Sequence, residues 1–244
     1  MENKFIKNAI TRFKIIIQIS FLCAWSHFTL ANTTSEICTN NPTIIQKPII
    51  FDAKRIALTQ AYRSTHYGIQ SKSITIEPKM IVLHWMVIST LEKSFNFLNN
   101  PTLSSTRSDI KKGGALNVSA HFIVDKDGTI YQLMPINWMA RHIIGLNNIA
   151  IGIENVGGSK DKNDLTEKQI EANADLVCLL KKRYPGIQYL IGHFEYKEFR
   201  NTPLWQEKDK SYYTQKNDPG PRFMEEVRKR VNGLGLLSQY SRVN

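Results

Sequence analysis

The 244-residue chain is 42% hydrophobic and 22% charged, with 13 glycines and 9 prolines, a composition that excludes wholesale disorder, collagen-like repeats and coiled coil. Its 32 basic and 21 acidic residues give a net charge of +11, and its three cysteines are too few for a disulfide framework and form no Cys-x-x-Cys pair. It has no run of about 18 apolar residues, which excludes a polytopic membrane protein.

The first 31 residues read as a signal peptide. Lys4, Lys7, Arg12 and Lys14 form a positive start, an apolar run from Ile15 to Trp25 follows, and Thr29-Leu30-Ala31 places small residues where cleavage needs them. Leu22 before Cys23 argues against a lipid anchor, since a lipobox wants a small residue there. Cleavage removes four bases and one acid and leaves +8, with no integral membrane span. A basic exported protein favours polyanions such as cell-wall polymers. The Lys and Arg residues lack the aromatic interleaving of an RNA-binding surface, so nucleic acid is not expected as a partner.

Residues 32–73 read as a linker followed by a segment that wraps onto the main domain. Ile74 to Ile76 suggests a short strand, and Met80 to Met86 a strand buried on both faces. Ser89 to Phe97 has helical character. Val118 to Val124 and Thr129 to Met134, joined by the turn Asp125-Lys126-Asp127-Gly128, predict a β-hairpin. Ile149 to Glu154 reads as a further strand. Thr166 to Tyr184 is the clearest helix: Thr166 and Gln169 make a capping box, Ile170, Ala174, Val177 and Cys178 share a face, and Pro185-Gly186 stops it. Cys178 on that face reads as a buried free thiol rather than a partner for Cys38. Tyr189 to Gly192 is a last strand, ending at His193. A long loop, 194–217, leads to Asp218-Pro219-Gly220-Pro221 and a closing helix from Arg222 to Val231, with 233–244 left as a tail. Strands alternating with helices, plus one hairpin, predict an α/β fold with a central mixed β-sheet flanked by helices.

Common catalytic motifs are missing: there is no Gly-x-Ser-x-Gly, His-Glu-x-x-His, P-loop or Gly-x-Gly-x-x-Gly. What remains is His84, Glu154, His193 and Asp218, polar residues at or near strand ends. A histidine closing a buried apolar strand must be hydrogen-bonded or metal-bound to offset its desolvation. Two such imidazoles plus one carboxylate make zinc plausible and leave the open position that a catalytic site requires.

Val82-Leu83-His84, Val118-Ser119-Ala120-His121-Phe122, Asp127-Gly128-Thr129-Ile130-Tyr131-Gln132, Ile151-Gly152-Ile153-Glu154, Gly192-His193 and Lys216-Asn217-Asp218-Pro219-Gly220-Pro221 occur in that order. Together they resemble the zinc-dependent N-acetylmuramoyl-L-alanine amidases of the amidase-2 type, whose fold is shared with phage T7 lysozyme and the peptidoglycan-recognition proteins. The resemblance spans residues 74–232. It implies a Zn2+ site made by His84, His193 and Asp218, with Glu154 as catalytic base and Lys216 assisting the transition state. It also implies a peptidoglycan or muropeptide substrate and periplasmic or secreted action.

Three features depart from the family pattern. The second histidine and the aspartate are separated by 24 residues, Trp85 follows the first ligand, and the family's Trp-His-Ala-Gly run is matched only by Arg141-His142-Ile143-Ile144-Gly145. A substrate-binding role is assigned to His142 and to Trp205, the latter from an aromatic and charged loop expected to wall the substrate groove. His121 is expected in the core. The alternatives are a peptidoglycan-binding module without catalysis, which would lack part of this residue set, and a glycosidase using Glu154 with a second carboxylate. The glycosidase leaves the two strand-end histidines unexplained.

Overall fold

A computed structural model describes residues 38–159 and 164–241. The signal-peptide expectation falls outside them. The chain divides into a unit ending at Thr39 and a larger one, residues 40–244, that carries every element named below.

The larger unit is built on one six-stranded sheet: β1 (Ile44–Gln46), β2 (Met80–Trp85), β3 (Phe122–Val124), β4 (Ile130–Gln132), β5 (Ala150–Asn155) and β6 (Tyr189–Gly192), in the spatial order β1-β4-β3-β5-β2-β6. Only the β3–β4 hairpin is antiparallel; the other four pairings are parallel, so the predicted mixed sheet is observed. Strand β2 lies between β5 and β6 and is apolar on both faces because both are covered.

Alternation sorts the central strands into two layers. Met80 and Val82 of β2, Ala150 of β5, and Tyr189 and Ile191 of β6 face one core, shared with Ile143, Leu146, Tyr196 and Phe199 from the loops. His84 and Glu154 continue that face at the strand ends. Asn155, of opposite parity, accepts a hydrogen bond from Asn173 on the long helix, so this helix covers the other face.

The helices are α1 (Ala53–Tyr62), α2 (Leu91–Asn99), α3 (Glu167–Arg183) and α4 (Pro221–Arg230). Helix α3 starts with the predicted capping box: the Gln169 N–H donates to Thr166 Oγ1 (3.1 Å), and the Thr166 N–H donates to Gln169 Oε1 (3.0 Å). Pro221 opens α4, where its missing N–H is no loss.

Several expectations are corrected. The linker contains β1, paired with β4, and the wrapping segment contains α1, capped by Asp52. The face of α1 that packs inward carries Arg55, Thr59 and Tyr62, so no apolar period betrays it. The buried Arg55 guanidinium donates to the carbonyls of Leu98 and Asn99, where α2 ends. Ile74–Ile76 makes only an isolated bridge, Thr75 to Trp138, and β3 begins at Phe122 rather than Val118. Cys178 is not a free thiol: Cys38 and Cys178 are both disulfide-bonded. The tail is partly structural, since Leu237 exchanges backbone hydrogen bonds with Gln188 and Leu190 beside β6.

Candidate metal centre and catalytic cleft

The site forms where β5, β2 and β6 end together. His84 is in register with Glu154, so the two side chains leave adjacent strands on the same face. Leu83 pairs with Gly192, which brings His193 to the same sheet end. Ligands in open parallel sheets bind at these carboxyl ends, where side chains leave the strands with no further backbone pairing. Asp218 arrives from the far end of the long loop, its carbonyl accepting the Phe194 N–H (3.0 Å).

His84 Nδ1 lies 3.0 Å from His193 Nδ1 and 3.1 Å from Asp218 Oδ2, and His193 Nδ1 is also 3.1 Å from that oxygen. All three residues are buried, and among the described residues this is the group whose ligand atoms converge on one point, within 4.8 Å of one another. A tetrahedral ion with bonds of about 2.0–2.1 Å has ligands about 3.3 Å apart, close to the separations found. Two imidazoles and one carboxylate therefore fit a metal ion in both donor chemistry and spacing.

The protonation states suit the same reading. Burial, reinforced by His193, pushes His84 down to about 4, so it is neutral near pH 7. Burial opposes ionisation of Asp218, but the two imidazoles beside it outweigh burial and hold it below the ordinary carboxylate range. Metal binding needs neutral imidazole and ionised carboxylate, and these groups supply both.

Glu154 shows the opposite behaviour. Burial, and then the nearby Asp218 charge, raise it well above the ordinary value against the pull of Lys216 and Arg107. Its Oε2 atom is fully buried and has no hydrogen-bond partner among the described residues. A carboxyl raised above its ordinary value, with one oxygen unpartnered among the described residues and lining the cleft beside His84 and His193, is suited to taking and returning a proton. Lys216 lines the same cleft, with its ammonium 3.9 Å from Asp109 Oδ2.

Of the other predicted site residues, His142 reaches the cleft and Trp205 does not. His142 is buried, with Nδ1 2.9 Å from His84 Nε2 and Nε2 3.3 Å from the Ala150 carbonyl. Trp205 packs on Tyr196, ring centroids 5.9 Å apart, against the loop side of the core, and is not part of the cleft wall. His121 is a core residue: it donates from Nε2 to the Trp138 carbonyl and accepts the Gly152 N–H at Nδ1.

Two contributors were invisible in the sequence. Arg107, held bidentately by Asp109 (3.0 and 3.1 Å), lines the cleft from the connection between α2 and β3, where it reads as one more polar loop residue. Asn147 accepts the N–H groups of His142 and Ile143 (2.8 and 2.7 Å) and donates to the Tyr67 hydroxyl (2.9 Å). The Asn147-Asn148 pair carries a turn signal but no hint of that network.

Comparison with known proteins places this arrangement. The model of the Amidase_2 family, N-acetylmuramoyl-L-alanine amidase, matches residues 74–221. The endolysins of Klebsiella phage KP32 and Escherichia phage T7 are each 31% identical over 87 residues, 34% of this chain and 58% of theirs. The chain thus aligns with a little over half the length of these curated relatives. Among solved structures, the N-acetylmuramoyl-L-alanine amidase LysC from Clostridium intestinale URNW is 23% identical, with a TM-score of 0.49, covering 79% of this chain and 99% of that one. The family match runs from before β2 into the first residue of α4 and takes in His84, Glu154, His193 and Asp218. The chain belongs to the amidase-2 family of N-acetylmuramoyl-L-alanine amidases.

Proposed function

We propose that this protein hydrolyses the amide bond between N-acetylmuramic acid and L-alanine in peptidoglycan or muropeptides, using zinc held by His84, His193 and Asp218. The observation that carries this reading is the placement of a raised Glu154 carboxyl, its Oε2 unpartnered among the described residues, in the same cleft as a buried two-histidine, one-aspartate donor set. A bound Zn2+ would supply Lewis acidity, polarising a carbonyl and making a water acidic near neutral pH.

The chain's own residues do the rest. Glu154 accepts the proton of the attacking water and returns it to the departing alanine nitrogen, so the leaving group departs as an amine. The Lys216 ammonium stabilises negative charge that develops on the scissile carbonyl oxygen; loss of one such donor typically costs about 3 kcal/mol. The apolar walls around His84 and Glu154, including Trp85, Val118 and Ile143, limit water and strengthen these interactions. The basic charge, +11 for the full chain and +8 after the expected cleavage, suits an anionic wall polymer, and we place the protein outside the cytoplasm, periplasmic or secreted. Among the described residues no helix is long and apolar enough to cross a membrane.

The test is digestion of purified sacculi by zinc-loaded protein, with mass analysis of the products. Release of stem peptides with a free L-alanine amino group, abolished by a chelator and restored by zinc, is the expected result. New reducing sugar ends would indicate a glycosidase instead, and binding to sacculi without any release would indicate a recognition module.

A further inference from the structure

His142 stands between a backbone carbonyl and the first histidine of the donor set, and the chemistry of these contacts is directional. The Ala150 carbonyl can only accept, so His142 Nε2, 3.3 Å away, carries the proton. The ring is buried with no carboxylate among its hydrogen-bond partners in the described residues, which disfavours an imidazolium, so Nδ1 is unprotonated. That bare nitrogen sits 2.9 Å from His84 Nε2 and can only accept; His84 Nε2 therefore donates, and His84 Nδ1 is left bare.

His84 Nδ1 is the atom that faces His193 Nδ1 and Asp218 Oδ2 at 3.0 and 3.1 Å. With no proton on it, the approach to the Asp218 oxygen sets lone pair against lone pair, a contact that a cation between them, or a proton on Asp218 or His193, relieves. His193 has no counterpart to this relay: its Nε2 is buried without a partner among the described residues. The position of His142 is itself fixed. Asn147 Oδ1 accepts its N–H, Tyr67 supports Asn147, and Gly152 leaves the room that the ring fills, since a Cβ there would come within 2.7 Å of it.

We infer that His142 is a positioning residue, not a substrate contact: through the Ala150 carbonyl it sets the tautomer of His84, so that Nδ1 faces the metal centre as a ready lone pair. This rests on the metal reading proposed above, and goes beyond it by assigning the relay.

Nitrogen-15 NMR of histidine-labelled, metal-free protein tests the relay without any metal. In the unsubstituted protein, both His84 and His142 should be in the Nε2–H form. In His142→Ala, the His84 tautomer should become mixed or shift to Nδ1–H, and the zinc dissociation constant from chelator competition should rise by about 10- to 100-fold, as is usual on loss of such a partner. His142→Asn, whose Oδ1 offers an acceptor near the position of Nδ1, should recover much of the affinity. Finding His84 as Nδ1–H in the unsubstituted apo protein would overturn the inference, and so would unchanged zinc affinity in a folded His142→Ala. If the alanine variant does not fold, the tautomers of the unsubstituted protein and the His142→Asn affinity still decide. The expected tautomers with no zinc binding would refute the metal reading while leaving the relay in place.

Discussion

The two carboxylates of the site are pushed in opposite directions, and each has its own test. Glu154 is raised, so its ionisation is a cost to the fold at pH 7, one that begins to shrink as pH falls below the folded value and is gone near the ordinary glutamate value. Glu154→Gln should keep zinc bound, since no ligand is touched, and lose turnover by at least about 100-fold. The same variant, metal-free, should be more stable than the unsubstituted protein at pH 7, because it removes a carboxyl whose ionisation burial opposes. Denaturant titration should show this gain fading as pH drops toward the ordinary glutamate value of 4.5. If Glu154 is the base, the acid limb of kcat/KM lies above the ordinary carboxylate range; a limb near 4.5 would remove it from that role. His193→Ala should behave differently, losing zinc affinity and activity together, because two remaining protein ligands seldom hold the ion. Full zinc occupancy in that variant would show the ligand set to be wrong.

The long connection from β6 to α4 illustrates what a run of residues hides when it lacks a period. Its aromatics suggested a substrate wall, yet Tyr196, Phe199 and Tyr212 are buried in the core beneath β2 and β6, while Tyr213 is 48% exposed. The outbound limb is thus an anchor, and only the returning limb, with Tyr212, Thr214 and Lys216, borders the cleft. Phe199→Ala should cost about 3–5 kcal/mol, the range for a buried phenylalanine, and lower the melting temperature without changing zinc stoichiometry. Tyr213→Ala removes an exposed ring that Lys197 and Arg200 lie over, and should stay within about 1 kcal/mol. A comparable loss in both variants would mean that the loop is not anchored as described. Helix α1 was hidden for the opposite reason, since its buried face is made of polar side chains satisfied by partners far away in sequence. Strands β2, β5 and β6 were readable because two-sided burial writes an unbroken apolar run.

Across the molecule, three buried histidines give the fold a common response to acid. His84 and His121 are both lowered to about 4, and His142 lies well below the ordinary value, all three chiefly through burial. Each takes up a proton more readily when unfolded, so stability is lost as pH falls from about 6.5 toward 4. The metal-free protein should therefore lose up to about 4 kcal/mol per pH unit within that window, about 1.4 for each histidine. Denaturant midpoints that stay flat between pH 6.5 and 4.5 would contradict the burial of these rings. The six motifs in register made the donor set legible in the sequence, because each ligand closes a recognisable strand or turn. The sequence could not show that Arg107 and Asn147 reach the site, since each depends on a tertiary contact with no local pattern.

The pairing of His84 with Glu154 across β2 and β5 also decides how this protein can tolerate changes in length. Side chains alternate faces with every residue, so a single-residue deletion inside β5 would not move Glu154 slightly; it would turn the carboxylate through the sheet into the layer beneath α3. An insertion in the connections before β5 leaves the alternation within the strand intact. Errors of length are thus all-or-nothing within the six residues of β5, a parity effect that a scan of one-residue deletions through 150–155 would map directly.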